Sequence, residues 1–334
     1  MNQLNNAFTL FLSLLVEAMP FLLLGVLLSG LLLLFVDERK LIAIVPKNPF
    51  LGAFFGSCAG FLFPVCECGN VPVARRLLMQ GVPAPVAIGF LLAAPTINPI
   101  VIWSTWVAFR DQPEIVILRV VFSLAIATII GCVFSVQADL RPLLQPALAR
   151  AQPQFTPVKG GGEATPTLLQ SGTFLLGNSG SPIRMEAAAM SANLAANKPQ
   201  GNRWQMLLDN TVQEVRELGG VLVLGSAIAA AIQVLAPREL ILSLGQSPIT
   251  AIAAMMLLAG LVSICSTVDS FFALSFASNF TSGSLLAFLV FGPMIDLKGI
   301  GLLLSIFKTR TVVYLFALAT QLTFLLTLGY SYFF

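Results

Sequence analysis

Apolar runs of near-constant length, interrupted at matching places, set the pattern of this chain. Residues 8–36 are almost wholly apolar apart from Glu17 and Pro20, and a short charged stretch over residues 37–47 follows. Further apolar runs cover residues 50–65, 85–109 and 115–136, and after a long polar interval the pattern resumes over 211–235, 249–264, 284–306 and 311–329. A helix that crosses the hydrocarbon core needs about 20 predominantly apolar residues. Its backbone must satisfy its own hydrogen bonds, because lipid offers none. The pattern therefore predicts an all-α polytopic membrane protein with about eight spans.

Several runs are interrupted by polar and helix-breaking residues. Pro64-Val65-Cys66-Glu67-Cys68-Gly69-Asn70-Val71-Pro72 gathers two thiols, a carboxylate, a carboxamide and two prolines between an apolar run and Arg75-Arg76. Pro95, Asn98 and Pro99 interrupt the third run, and Pro293 and Asp296 interrupt the seventh. Proline removes a helical donor and clashes with the preceding turn. Half-helix breaks are therefore expected at Pro72, Pro95, Pro99 and Pro293, with broken or re-entrant half-helices and not straight rods.

The halves of the chain align with an almost constant offset. Glu17 and Gly25 stand 200 positions before Glu217 and Gly225; Cys66 and Asn70 stand 199 before Cys265 and Asp269; Pro95 and Asn98 stand 198 before Pro293 and Asp296. Two homologous transmembrane repeats are expected, over residues 1–136 and 211–334, joined by a cytoplasmic Pro/Gly-rich linker over 137–210. Within the linker, residues 168–176 are apolar but too short to span. Interrupted segments at matching positions of two halves point to the binding site of a secondary transporter. Four crossings per half would make the repeats parallel, and a re-entrant 66–80 element would make them inverted.

Composition narrows the function classes. Only 10% of residues are charged and 57% are hydrophobic, far from the roughly 25% charged expected of a soluble domain. The net charge of +3 marks no nucleic-acid face. Histidine is absent, which removes the usual proton shuttle and the commonest imidazole metal ligand. No Walker-type phosphate loop and no serine nucleophile elbow occur, so an enzyme or an ATP-driven pump is not expected. The first apolar run exceeds a cleaved signal and reads as a retained helix.

The candidate site follows from these breaks. Asn70, Asn98, Asp269 and Asp296 suit helix N-caps, and as caps they would aim half-helix starts into a shared cavity. Of the five cysteines, Cys58 and Cys132 sit inside apolar runs as small hydrophobes. Cys66 and Cys68 would share a face on an extended segment but point apart on a helix. Thiolates select soft ions, so Cys66 and Cys68 are candidate soft-ion ligands, with Cys265 as a third sulfur. Two packed thiols in a tight turn, or a redox pair, remain open for the same residues. Glu17 and Glu217 sit inside apolar spans, where a carboxylate is expensive and marks function; proton coupling is the expected role, Glu217 also reading as a water-facing helix end.

The stretch Cys66-Glu67-Cys68-Gly69-Asn70-Val71-Pro72, with Gly81-Val82-Pro83 and Leu91-Leu92-Ala93-Ala94-Pro95-Thr96-Ile97-Asn98-Pro99, resembles the ArsP-type family of predicted permeases, and the resemblance covers essentially the whole chain. It implies a multi-pass permease of the inner (plasma) membrane, some members being linked to export of trivalent organoarsenicals. The combined expectation is a secondary transporter exporting a small thiol-reactive or anionic solute without a cofactor. Its partners are the ion or small-molecule substrate and the bilayer, and homo-oligomerisation is compatible with the sequence. A channel-like facilitator and a membrane thiol oxidoreductase using Cys66 and Cys68 are the alternatives.

Overall fold

The expected interruptions fall in or beside helix ends, so the fold is most simply followed from break to break. The computed structural model describes residues 2–35, 45–46, 48–63, 66–135, 144–145, 203–235 and 247–333. Among them there are helices and no strand. One compact unit comprises residues 1–153 and 209–334; a second comprises residues 154–208, of which the description covers only the start of one helix. The expected linker over 137–210, with its apolar segment 168–176, thus lies outside the described residues, apart from Leu144, Gln145 and residues 203–210.

Helix α1 (Asn2–Phe35) is the first long apolar element. Asn48 caps α2 (Pro49–Ala59) by accepting from the Phe50 amide at 3.2 Å, with Pro49 in the first turn where no donor is needed. A 3-10 turn (Gly60–Leu62) extends α2, and α3 (Glu67–Met79) then starts at Cys66. Gly81, at φ 82°, ends it in a left-handed turn that only glycine adopts without strain. Helices α4 (Ala84–Ile97) and α5 (Pro99–Ala108) form one broken rod, and α6 (Pro113–Ser135) closes the first half.

The second half opens with α7 (Arg203–Leu235), which begins inside the stretch expected as linker. Ser247 and Thr250 form a reciprocal capping box for α8 (Pro248–Val262). A short α9 (Asp269–Leu274), the broken pair α10 (Ser282–Met294) and α11 (Leu297–Ile306), and α12 (Thr309–Phe333) complete it.

Among the described residues, six elements are long and apolar enough to cross a membrane: Asn5–Leu31, Ala84–Ala108, Pro113–Ser135, Thr211–Val234, Ser282–Ile306 and Thr309–Phe333. The two remaining apolar segments, Pro49–Leu62 and Pro248–Val262, stop short of the expected eight spans. At 1.5 Å per residue they reach only about 20 Å, less than the roughly 30 Å core. The broken rods are the innermost, with 78% of each apolar window buried, against 28% for α12.

The half-helices pack across the two halves: α3 lies against α1, α4 and α11, while α9 lies against α5 and α10. Glycine makes the closest crossings. A methyl at Gly25 of α1 would overlap the Gly69 carbonyl of α3, and one at Gly56 of α2 would overlap the Val86 carbonyl of α4. Small residues at such contacts let membrane helices approach backbone to backbone.

Candidate functional site

Cys66 and Cys265 hold the same local post. The Cys66 carbonyl accepts from the amides of Gly69 and Asn70 at 3.1 Å, and the Cys265 carbonyl accepts from Val268 at 2.9 Å and Asp269 at 3.0 Å. Each cysteine thus lies just outside the first turn of a half-helix. Both thiols are buried and free. The two sulfurs and a carboxylate oxygen of Glu67 all lie within 4.8 Å of one another. Cys68 is also buried, at 1% exposure, but stands outside that group. Cys66 is the extended cap before Glu67, and the Cys68 side chain lies beside that of Cys66.

Glu67 is the first residue of α3. Its Oε1 lies 3.9 Å from Lys298 Nζ, and its Oε2 is buried without a hydrogen-bond partner. Lys298 opens α11 and is 2% exposed. The charges of Asp296 and Glu67 act on it, with a further contribution from Glu17. Asp296 caps α11, its Oδ1 accepting from the Gly299 amide at 2.6 Å. Ser263, in a left-handed conformation at φ 47° after α8, accepts from the Leu297 amide at 3.1 Å. The end of α8 and the start of α11 are therefore joined around the same point.

A second buried ion pair closes the other crossing. Arg119 of α6 donates through Nη2 to Asp269 Oδ2 at 2.6 Å and through Nη1 to Asp269 Oδ1 at 3.2 Å. Its Nη1 also donates to Thr105 Oγ1 of α5 at 2.8 Å and Ser270 Oγ at 2.9 Å. The side chains of Arg119 and Asp269 are 1% and 4% exposed. Sequence reading passed over Arg119, although a lone arginine inside the apolar run 115–136 is the signal that finds such a residue.

The four expected caps divide evenly. Asn98 caps α5, accepting from the Ile100 amide at 2.9 Å, and Asp296 caps α11. Asp269 is the first residue of α9, following Val268 as cap, and engages Arg119. Asn70 lies inside α3 and donates to the Leu91 carbonyl of α4 at 2.7 Å. That carbonyl is the one Pro95, four residues on, cannot serve, so Asn70 repairs the proline's missing bond from outside. Asn70→Ala is expected to cost about 1–3 kcal/mol by leaving a buried acceptor unpaired. The same change should cost clearly less in a Pro95→Ala background, where the helix supplies its own donor. Equal melting losses in detergent for the two backgrounds would refute this coupling.

The proline breaks sit differently from expectation. Pro99 opens α5 as foreseen, but Pro72, Pro95 and Pro293 lie inside α3, α4 and α10. The chain breaks instead at Cys66, Asn98 and Asp296, beside the caps. Glu17 is half-buried on α1, with a buried Oε1 that lacks a partner. Glu217 is 47% exposed and pairs with Arg75 at 2.9 Å.

Among the described residues, an all-helical bundle with six candidate spans and polar clusters at half-helix starts has the architecture of a multi-pass membrane protein. Residues 3–332 match the model of the ArsP-type predicted permease family, and the chain belongs to that family. It is 38% identical over 327 residues to the UPF0718 protein YcgR of Bacillus subtilis, covering 98% of this chain and 95% of the relative. It is 31% identical over 303 residues to the "Putative two-component membrane permease complex subunit" of Streptococcus mutans, covering 91% of this chain and 87% of the relative. No solved structure gives a significant match. Both relatives are bacterial, and a multi-pass permease of this family is consistent with the bacterial plasma membrane.

Proposed function

We propose that this permease is a secondary transporter exporting a small thiol-reactive solute, of which a trivalent arsenical is an example, through a site where the half-helices cross. The observation that carries the reading is the meeting of Cys66 and Cys265, 199 positions apart, as buried free thiols within 4.8 Å of each other. Soft electrophiles are what paired thiols select. Cys68, Asn98, Asp269 and Asp296 then line or shape the surrounding breaks. Glu17, half-buried with an unpartnered oxygen, is the favoured proton-coupling group over the exposed Glu217.

The two halves are repeats in this reading. Both run long helix, short apolar helix, half-helix, broken rod and long helix, with three candidate spans each. An odd number of crossings makes them inverted, the plan of many transporters with midplane sites. The name of the Streptococcus mutans relative supports a second membrane component working beside the chain.

Everted membrane vesicles test the transport reading. Accumulation of trivalent methylarsenic, driven by a proton gradient and reduced about 100-fold by Cys66→Ser with Cys265→Ser, is the expected result, since even supporting contacts of such sites are worth 10–100-fold. Transport of thiosulfate or sulfite that survives this change would overturn the thiol role and move the site to the caps at Asn98 and Asp296. Flux indifferent to the proton gradient would favour a facilitator.

A further inference from the structure

We infer that Glu67 completes a two-sulfur, one-oxygen site with Cys66 and Cys265, and that this site takes a borderline divalent cation of the Zn(II) kind. The inference rests on the thiol-lined reading above and names the class of cargo.

Geometry comes first. A tetrahedral ion with bonds of about 2.3 Å to sulfur holds its donors roughly 3.7 Å apart, and the three donor atoms here lie within 4.8 Å of one another. A contraction of about 1 Å at most closes them on one ion. They come from both halves of the chain, so a bound ion would tie the start of α3 to the break before α9.

The second observation is the carboxylate itself. Glu67 is 7% exposed, and its Oε2 is buried with no donor. The nearest cation, Lys298, stands 3.9 Å from the other oxygen, too far for a hydrogen bond. Beside Cys265, the fully buried hydroxyl of Ser266 is also without a partner. Buried polar atoms in native structures almost always have partners, so these two orphans, next to two free thiols, mark a place where a further group belongs.

The donor set then chooses the group. A trivalent arsenical bearing one organic substituent is satisfied by two thiolates and leaves the carboxylate idle. Cu(I) prefers sulfur alone, whereas Zn(II) accepts thiolate and carboxylate together and keeps a fourth position for exchange. Charge points the same way. Glu67 and Asp296 bring two acidic groups against the single ammonium of Lys298, which favours a cation over an oxyanion. On binding, the two thiols release their protons as they become ligands.

The test uses the purified full chain in detergent, reduced and metal-free, titrated with Co(II) as a spectroscopic stand-in for Zn(II). One equivalent should produce thiolate-to-cobalt absorption in the near ultraviolet and intense tetrahedral visible bands, both bleached by Zn(II). Cys265→Ser should remove about half of the near-ultraviolet intensity. Glu67→Gln should keep the thiolate absorption while weakening Co(II) affinity at least about ten-fold, and should abolish the Zn(II)-induced rise in melting temperature. Cys132→Ser, remote from the site, controls for non-specific thiol binding. Melting curves of the metal-free variants show that each is folded. Unchanged affinity in Glu67→Gln would overturn the inference. A wild-type protein that binds trivalent methylarsenic through its thiols but gives no cobalt bands would overturn the divalent assignment and leave the thiol-permease reading standing. A protein that binds neither would overturn both.

Discussion

Asp269→Ala is expected to destabilise the folded protein by about 3–5 kcal/mol, because it strands the Arg119 guanidinium, 1% exposed, without its carboxylate. The carboxylate is the acidic partner of that guanidinium, at 2.6 Å, and both side chains are almost fully enclosed. Thr105 and Ser270 still offer hydroxyl oxygens, but neutral acceptors do not offset an unpaired buried charge. The loss should appear as a large drop in the temperature at which the detergent-solubilised protein ceases to be monodisperse. Arg119→Met alone should also destabilise, by leaving the carboxylate behind. Arg119→Met together with Asp269→Leu should recover most of the loss, since apolar replacement of a whole buried pair is often neutral or better. A single Asp269→Ala variant as stable as the wild type would show that the pair is not what joins α6 to α9.

Lys298→Met is the second large effect, again about 3–5 kcal/mol, with the opposite charge left over. Lys298 is the cation on which Glu67 and Asp296 both act, so its loss leaves two carboxylates enclosed together. Adding Asp296→Asn to Lys298→Met should return part of the stability, because asparagine still caps α11 while one of the two buried acidic groups is gone. Stability that falls no further in Lys298→Met than in a conservative Lys298→Arg variant would show that the cation is dispensable. The two ion pairs are unequal: Arg119 grips Asp269 through two nitrogens, whereas Lys298 stands 3.9 Å from Glu67. The looser pair is the one beside the thiols, at the cargo site proposed above.

Much of this site was legible in the chain before any fold was considered. Proline, asparagine and aspartate recurring inside apolar runs announce interrupted helices, since each is costly in a continuous transmembrane rod. Asn98 and Asp296 do cap the second arms of the broken rods, as their side chains predict. The near-constant offset brought Cys265 into consideration beside Cys66, although 199 positions separate them. Spacing brought Cys68 forward as the neighbour of Cys66, and its side chain does lie beside Cys66, while only the fold brings the Glu67 carboxylate to the Cys66 and Cys265 sulfurs. The roles of Asn70 and Glu67 were also hidden. Asn70 answers a carbonyl orphaned by a proline on another helix, and Glu67 meets Lys298 from the other half.

By itself, then, the sequence determined the solvent, the helical class, the places where helices stop and the residue types gathered there. Those are local consequences of hydrophobic length, proline geometry and capping chemistry, which act within a few residues of their cause. Only the tertiary structure decided which thiols meet, which carboxylate faces a cation and which apolar segments are too short to span. These depend on half-helices from one half packing against the other. Such a crossing is set by the pairing of buried charges, Arg119 with Asp269 and Lys298 with Glu67, which leaves no periodic trace along the chain.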